Sequence, residues 1–301
     1  MDCLPGPLLP FARDASRPQI PSVATLYIVS TPIGNLEDIT RRALRILGEV
    51  AEVYAEDTRR TRVLMERYGI KTPLRSLTEY NESERTLEIQ ARLEKGESVA
   101  LVSDAGTPLI SDPGTRLVGT LRGLGLRVVP VPGASAVLTA LVGSGLPPVP
   151  FTFYGFLDKK GGGRSRVLDD VATSRHTAVL FESPNRLDRL LQELREVCGS
   201  DREVAVGREM TKLHEEFFRG TLGDARVYYQ GRPPRGELTV VVAPAMAAEA
   251  PNPDDPAVAR LVEELLAEGI TPKDAVARVV ERFGLPRNVA YRVVQSIART
   301  D

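Results

Sequence analysis

The sequence predicts an α/β protein of two αβ units followed by a small helical extension. Three observations carry this reading. Short apolar runs alternate with amphipathic helical segments from Leu26 to Pro244, which argues a largely parallel sheet. Those apolar runs stop at turns rich in Gly and Pro. Beyond Pro244 only helical periodicity remains. At 301 residues the chain is long for one domain and comfortable for two.

The elements follow in order. "ATLYIVS" is a buried strand that ends at the turn "TPIGN". "DITRRALRILGEV" is an amphipathic helix with Ile39, Ala43, Ile46, Leu47 and Val50 on one side. "AEVYAED" is a strand and "TRRTRVLMERYG" a helix closed by Gly69. "NESERTLEIQARLEKG" is a helix opened by Asn81 and Glu84 at capping-box spacing. "SVALVS" is a strand, and the next helix starts at Pro113 with Asp112 as its cap. "LRVVPVPGASA" reads as a strand, a turn and a helix start, and "GSGLPPVP" as a hinge.

In the second unit "FTFYGFL" is a strand, "GGGRSRVLDDVAT" a loop then a helix, "HTAVLFES" a strand and "NRLDRLLQELREVCG" a helix. "REVAVGRE", "LHEEFFRG" and "GELTVVVAP" are strands. "AMAAEAPNPDDP" is an Ala/Pro linker. Three helical segments follow, and "TPKDAVARVVERFGLPRNVAYRVVQSI" has the rhythm of a helix-turn-helix. A small packing bundle that touches no nucleic acid fits the same pattern. The division expected is 1–22 as a flexible extension, 23–145 and 146–245 as the two αβ units, and 246–301 as linker and tail.

Composition narrows the function classes. With 42% hydrophobic and 26% charged residues the chain is of globular type, and its net charge of −1 carries no global bias toward nucleic acid or membrane. Arg far outnumbers Lys, which could reflect phosphate recognition but is explained more readily by genomic base composition. Cys3 and Cys198 form no disulfide framework, so a cytoplasmic location is expected. No apolar run is long enough for a membrane helix, and the N-terminus is broken by Pro5, Pro7 and Pro10 and lacks a basic start.

In open α/β sheets ligands bind beyond the carboxyl ends of strands. Here those ends are "STPIGN", "AEDTRRT", "SDAGTP" and "VPGAS". Such loops let main-chain groups reach a ligand. Asp104 offers an acceptor and Thr107 a hydroxyl. Turn-and-cap duty explains Asp112–Gly114 well, but the run Ser103–Pro108 is longer than a cap needs. No GxGxxG stands between strand and helix, no GxxxxGK and no GxSxG occur, and His176 and His214 are the only histidines. A metal site is therefore not expected.

"TPIGNLEDIT", "AEDTRRT", "LVSDAGTPLISDPG", "VPGASA", "YGFL", "FESPNR", "REMTK" and "GE" before the last strand occur in this order between Ala24 and Pro244. In this the chain resembles the ribosomal RNA small subunit methyltransferase I family, within the tetrapyrrole methylase superfamily. The resemblance implies two αβα domains of the tetrapyrrole methylase type with the cofactor cleft between them. It implies S-adenosylmethionine as cofactor, and methylation of the ribose 2′-oxygen of a P-site cytidine in 16S rRNA of the small ribosomal subunit. It also implies a homodimer. Carried over, the cofactor residues are Pro32, Ile33, Gly34, Asp104, Ala105, Gly106, Thr107, Pro132, Gly133, Ser135 and Ala136. From the second unit come Phe181, Glu209, Met210, Gly236 and Glu237. The chain departs at Asn185, where the family often has His, and at Met210, where Leu is usual, a volume-conserving exchange.

Transfer from a sulfonium to a hydroxyl needs alignment and relief of one proton. Glu182, Glu209 and Arg186 are the candidate catalytic residues, and Glu56, Asp57 and Glu82 are further carboxylates for the proton. RNA needs cations. "TRRTR" supplies Arg59, Arg60 and Arg62, and "DKKGGGRSR" supplies Lys159, Lys160, Arg164 and Arg166 as a mobile basic loop. Arg208 and Lys212 complete the set. Two other readings stand beside this one: a tetrapyrrole methylase of the same fold, and a non-catalytic RNA-binding or ribosome-assembly protein that keeps a cofactor pocket.

Overall fold

The computed structural model describes residues 23–232, 234–245 and 253–298. The expected extension at 1–22, and the parts of the linker and tail at 246–252 and 299–301, lie outside the described residues. The first sheet has the order β3-β2-β4-β1-β5 and is parallel throughout. Its strands are β1 (Thr25–Val29), β2 (Glu52–Ala55), β3 (Leu74–Ser76), β4 (Val99–Val102) and β5 (Arg127–Val131). They are short apolar runs because both faces are covered. Tyr27, Val29, Ala100 and Val102 face one core cluster, which includes Ala43, Ile46 and Leu47 of α1 (Arg41–Glu49) and Leu64 and Met65 of α2 (Thr58–Arg67). Leu26, Ile28, Val99 and Leu101 face another, with Ile89 of α3 (Glu82–Glu94) and Leu117 of α4 (Thr115–Gly123).

Three local expectations are corrected. The strand β3 was not foreseen, because "PLRS" is too short to show periodicity. Asn81 makes no capping bond to α3; its Oδ1 instead accepts the Thr78 N–H at 2.8 Å. The helix after the "SDPG" turn begins at Thr115 with Gly114 as its cap, two residues later than Pro113. Gly114 sits at φ +119° with Leu101 so close that a Cβ would lie 2.8 Å from its side chain, so the turn is completed by the one residue that fits.

The second sheet has the order β6-β7-β10-β8-β9 and is mixed: β6 and β7 are parallel, and the remaining pairs antiparallel. Its strands are β6 (Phe151–Phe156), β7 (Thr177–Glu182), β8 (Glu203–Arg208), β9 (Glu216–Thr221) and β10 (Leu238–Val242). Leu180, Val206 and Val240 pack on α6 (Gly162–Thr173), α7 (Leu187–Cys198) and α8 (Leu222–Tyr229). The opposite face, through Val179, Ala205 and Val241, packs on α5 (Ala136–Ser144). That cluster also contains Ile33 and Met210. The crossover helix α5 therefore welds the loop after β1 to the second sheet.

The glycine-rich stretch before α6 is another correction. Helix α6 already starts at Gly162, and Arg164 within it is 3% exposed. Its guanidinium donates to Glu193 at 2.8 Å and to the Asp158 carbonyl at 3.0 Å. A buried, paired arginine does not reach a phosphate. The tail forms α9 (Pro256–Ala267), α10 (Pro272–Phe283) and α11 (Arg287–Ala298) around a core of Val258, Val262, Val276, Val279, Ala290 and Val294. Among the described residues no helix is long and apolar enough to cross a membrane.

Candidate active site

The loops after β1 and β4 are tied into one platform. Thr31 and Gly106 exchange both backbone bonds, at 2.8 and 3.1 Å. The Thr31 hydroxyl donates to the Ser103 carbonyl at 3.1 Å, and the Ser103 hydroxyl to the Gly106 carbonyl at 3.1 Å. Ser30 Oγ donates to Thr107 Oγ1, which donates on to the Ala134 carbonyl at 3.2 Å, so the loop after β5 joins the same layer. Two glycines permit this closeness. A Cβ on Gly133 would lie 2.8 Å from Ser30 Cβ, and Gly106 holds φ +81°.

The second unit closes over the platform. The segment Glu209–Glu215 bends sharply, with Glu209 and Thr211 at positive φ. The Asn35 N–H donates to Thr211 Oγ1 at 3.0 Å. A Cβ on Gly34 would overlap Lys212 Cγ and lie 3.0 Å from the Met210 carbonyl. Lys212 Nζ bonds Glu209 at 2.8 Å and Glu237 at 3.1 Å, and the Glu237 N–H donates to Glu209 Oε1 at 3.0 Å. Gly236, at φ +89°, leaves the room that the Glu209 carboxylate fills. The Lys212 hydrogen bond holds the Glu209 carboxyl below its usual pKa. Burial works against the Lys212 charge, but Glu209 and Glu237 outweigh it and raise the ammonium's pKa.

Between these parts lies a cavity of about 180 Å³. Its wall is Thr31, Pro32, Ile33, Gly34 and Leu36 from the first loop, Ser103, Asp104 and Ala105 from the second, and Lys212 and Glu237 from across the cleft. Helix α2 adds Arg60, Thr61 and Leu64. The Thr61 hydroxyl is buried there and has no hydrogen-bond partner among the described residues. An unsatisfied buried hydroxyl is costly, and this one is on the cavity wall, where it can bond a polar group placed in the cavity.

The cavity is bordered by carboxylates. Asp104 accepts the Asp57 N–H at 2.9 Å and lies 3.7 Å from Arg60 Nε. Burial, then the charges of Glu56 and Asp104, pushes Asp112 up to about 7. Burial, then Asp104 and Glu79, raises Glu56 as well. Asp57 goes the other way, down to about 2, because Arg59 holds it. Of these carboxylates Asp104 itself lines the cavity, where it can face a cation. Among the described residues no cluster of His, Cys, Asp or Glu has metal-binding geometry.

Of the expected cofactor residues, Pro32, Ile33, Gly34, Asp104, Ala105 and Glu237 line the cavity directly. Gly106, Thr107 and Gly133 build the layer behind it, next to Pro132, and Ser135 caps α5 at Ala136. Phe181 packs edge-on against Phe153 at 4.9 Å, beneath α5, and Met210 sits in the shared core. Glu209 and Gly236 form the Lys212 latch. Glu182 and Arg186 do not line the cavity. Arg186 Nε lies 2.7 Å from the fully buried Glu182 carboxylate, and its Nη1 donates to the Leu157 carbonyl. Glu82 is spent on the Leu117 N–H at the start of α4.

The basic residues separate too. Arg60 and Lys212 line the cavity, and Arg208 is paired to Glu216 at 2.8 Å. Arg62 borders a separate groove with Met65, Ile70 and Leu74. Lys159, Lys160 and Arg166 are exposed. The sequence reading missed Thr31, Leu36, Thr61 and Leu64. The signal was present for two of them: helical spacing from Thr58 puts Thr61 and Leu64 on the inward face of α2.

Two family models match the chain: tetrapyrrole (corrin/porphyrin) methylases over residues 25–226, and an RsmI C-terminal HTH domain over 252–297. The chain is 41% identical over 268 residues to a ribosomal RNA small subunit methyltransferase I of Synechocystis sp., covering 89% of this chain and 96% of that one. A protein of that name from Mesorhizobium japonicum is 45% identical over 276 residues, 91% and 92% of the two chains. One from Thermotoga maritima is 50% identical over 218 residues, 72% of this chain and 97% of its own. Among solved structures, a cobalt precorrin-4 methyltransferase of cobalamin biosynthesis superposes with TM-score 0.58 at 20% identity, covering 73% of this chain and 94% of that one. A diphthine synthase does so with TM-score 0.58 at 19% identity, covering 73% and 90%.

Proposed function

This chain belongs to the tetrapyrrole (corrin/porphyrin) methylase family, and from that premise we propose that it methylates the ribose 2′-oxygen of a P-site cytidine in 16S rRNA, with S-adenosylmethionine as donor. The observation that carries the reading is the cavity where the Pro32–Gly34 and Asp104–Ala105 loops meet Lys212 and Glu237. Its residues fit the donor. The carboxylates of Asp104 and Glu237 suit a molecule with a sulfonium and an ammonium, and the Thr61 hydroxyl awaits a polar partner. Ile33, Leu36 and Leu64 offer apolar surface to its uncharged parts. Relatives of 41–50% identity named for the small subunit's ribosomal RNA favour RNA over a tetrapyrrole as acceptor.

When bound, S-adenosylmethionine supplies an activated methyl group whose leaving partner is a neutral thioether. The chain's part is to hold the ribose oxygen in line, which is worth about 7–11 kcal/mol when orientation is good. The platform is suited to this because its loops are cross-bonded rather than free. The proton of the hydroxyl falls to Glu56. Asp57, Glu82, Glu182 and Glu209 are each bonded to a cation or a backbone N–H, whereas Glu56 is exposed, unengaged among the described residues, and raised in pKa. Exposed Lys159, Lys160, Arg59 and Arg166, with Arg60, take the RNA backbone. The chain works in the cytoplasm, as a homodimer with one cofactor cleft per protomer between its two αβ units.

The test is transfer of tritiated methyl from S-adenosylmethionine to small subunits purified from a strain lacking the protein. Label should appear on one ribose. A folded protein that binds the donor and labels no ribose refutes the assignment.

A further inference from the structure

We propose that the outward face of α11 is an RNA-docking surface, on which Tyr291 stacks an unpaired base while Arg287 and Arg292 hold the flanking phosphates. The inference rests on the reading that the acceptor is RNA.

Helix α11 (RNVAYRVVQSIA) buries Ala290 and Val294 against the tail's own core and half-buries Val289, Val293 and Ile297. At about 100° per residue, Arg287, Asn288, Tyr291 and Arg292 fall on the opposite side, within an arc of about 140°. All four are exposed, Tyr291 to 55%. The helix carries no acidic residue.

Charge favours a polyanion on this face. Several arginines of the body are neutralised, Arg75, Arg85 and Arg92 by glutamates, Arg164 and Arg189 by Glu193, and Arg208 by Glu216. Among the described residues Arg287 and Arg292 are in no ion pair. The tail's exposed acids lie on α9 and α10, among them Glu263, Glu264, Asp274 and Glu281, and none lies on α11. A surface that leaves guanidinium groups unpaired and sets an exposed aromatic ring between them is complementary to a single-stranded polyanion. Ring faces take bases, and guanidiniums take phosphates. A protein partner would call for an apolar centre, and here the valines of α11 turn inward.

The tail acts in docking and not in chemistry. The Thermotoga relative matches along 97% of its own length in only 218 residues, which leaves no room for both the methylase region and a tail of this size. A protein of that name therefore does without it.

The test uses the full-length chain and small subunits from the methylation-deficient strain. R287E/R292E and Y291A are compared with wild type by filter binding across a salt series and by methyl-transfer kinetics. Isothermal titration with S-adenosylmethionine and the far-UV melt serve as folding controls. Expected for R287E/R292E are binding at least tenfold weaker at 0.15 M salt, on the order of the loss two phosphate contacts carry, and a salt slope shallower by about 1.5. For Y291A the expected loss is about tenfold. KM for the subunit should rise while kcat holds. Unchanged affinity and slope in variants of an active enzyme overturn the proposal, as does a change confined to self-association. Tail-dependent RNA binding without ribose labelling would support this surface and refute the methylation reading instead.

Discussion

Replacing Asp104 with Asn should weaken S-adenosylmethionine by about ten- to thirtyfold. The carboxylate lines the cavity and its side chain is 22% exposed. At an effective dielectric of about 20, a unit charge about 4–5 Å away is worth roughly 3–4 kcal/mol. Partial exposure and competition by water reduce this to about 1.5–2 kcal/mol. The amide keeps an oxygen for the Asp57 N–H, so the link between the β2 and β4 loops survives. The melt should therefore stay near wild type, and the loss should be one of binding. Isothermal titration reads it directly. S-adenosylhomocysteine, which lacks the sulfonium charge, should lose less than the donor does. If the variant binds the donor within twofold of wild type, the carboxylate does not face a cation, and the placing of the ligand in this cavity is wrong.

Thr61→Val should act in opposite directions on two readouts: donor affinity falls about fivefold, while the free protein gains up to about 1 kcal/mol in urea unfolding, because an unsatisfied buried hydroxyl is removed. Glu56→Gln should lower single-turnover methyl transfer by about a hundredfold with donor binding retained; an unchanged rate would show that no side chain needs to take the proton there. Arg186→Ala strands the Glu182 carboxylate without its cation and should destabilise by about 3 kcal/mol, visible as a large drop in Tm; a melt like wild type would mean that this ion pair does not support the fold. Asp112 is raised from 3.8 to about 7, so the unfolded chain releases this proton first and stability declines as pH rises from about 4 through 7. Asp112→Asn should match wild type at pH 4 and exceed it at pH 8 by about 1–2 kcal/mol, after allowing for the group's partial exposure; parallel urea curves at the two pH values would contradict the burial argument.

Much of the architecture is written locally. Apolar runs such as "TLYIV" and "LTVVV" need no distant partner to be recognised as strands, and the spacing of Ala43, Ile46 and Leu47 marks a helix by itself. The loops that surround the cavity were legible for the same reason: Pro32–Gly34 and Asp104–Gly106 interrupt strands with residues that expose backbone. What a side chain does once it is there was less legible. Arg164 stands in a basic, glycine-rich stretch, yet it is buried because α7 brings Glu193 opposite it. Glu182 looks like a free carboxylate at a strand end, yet it is paired to Arg186 of its own 3-10 turn and its surroundings are the helical face of the second sheet.

The sequence by itself determined the alternation of strands and helices, the positions of the backbone-exposing turns and the separate helical tail, because each depends on local periodicity and on Gly and Pro. Only the tertiary structure decided that the second sheet is mixed, that α5 bridges the two sheets, and that Lys212 meets Glu209 and Glu237 across the cleft. It alone brought Thr61, Asp104 and Lys212 together around one cavity. Charge pairing and burial depend on which segments come within a few ångströms, and that distance is set by packing between parts of the chain far apart in sequence.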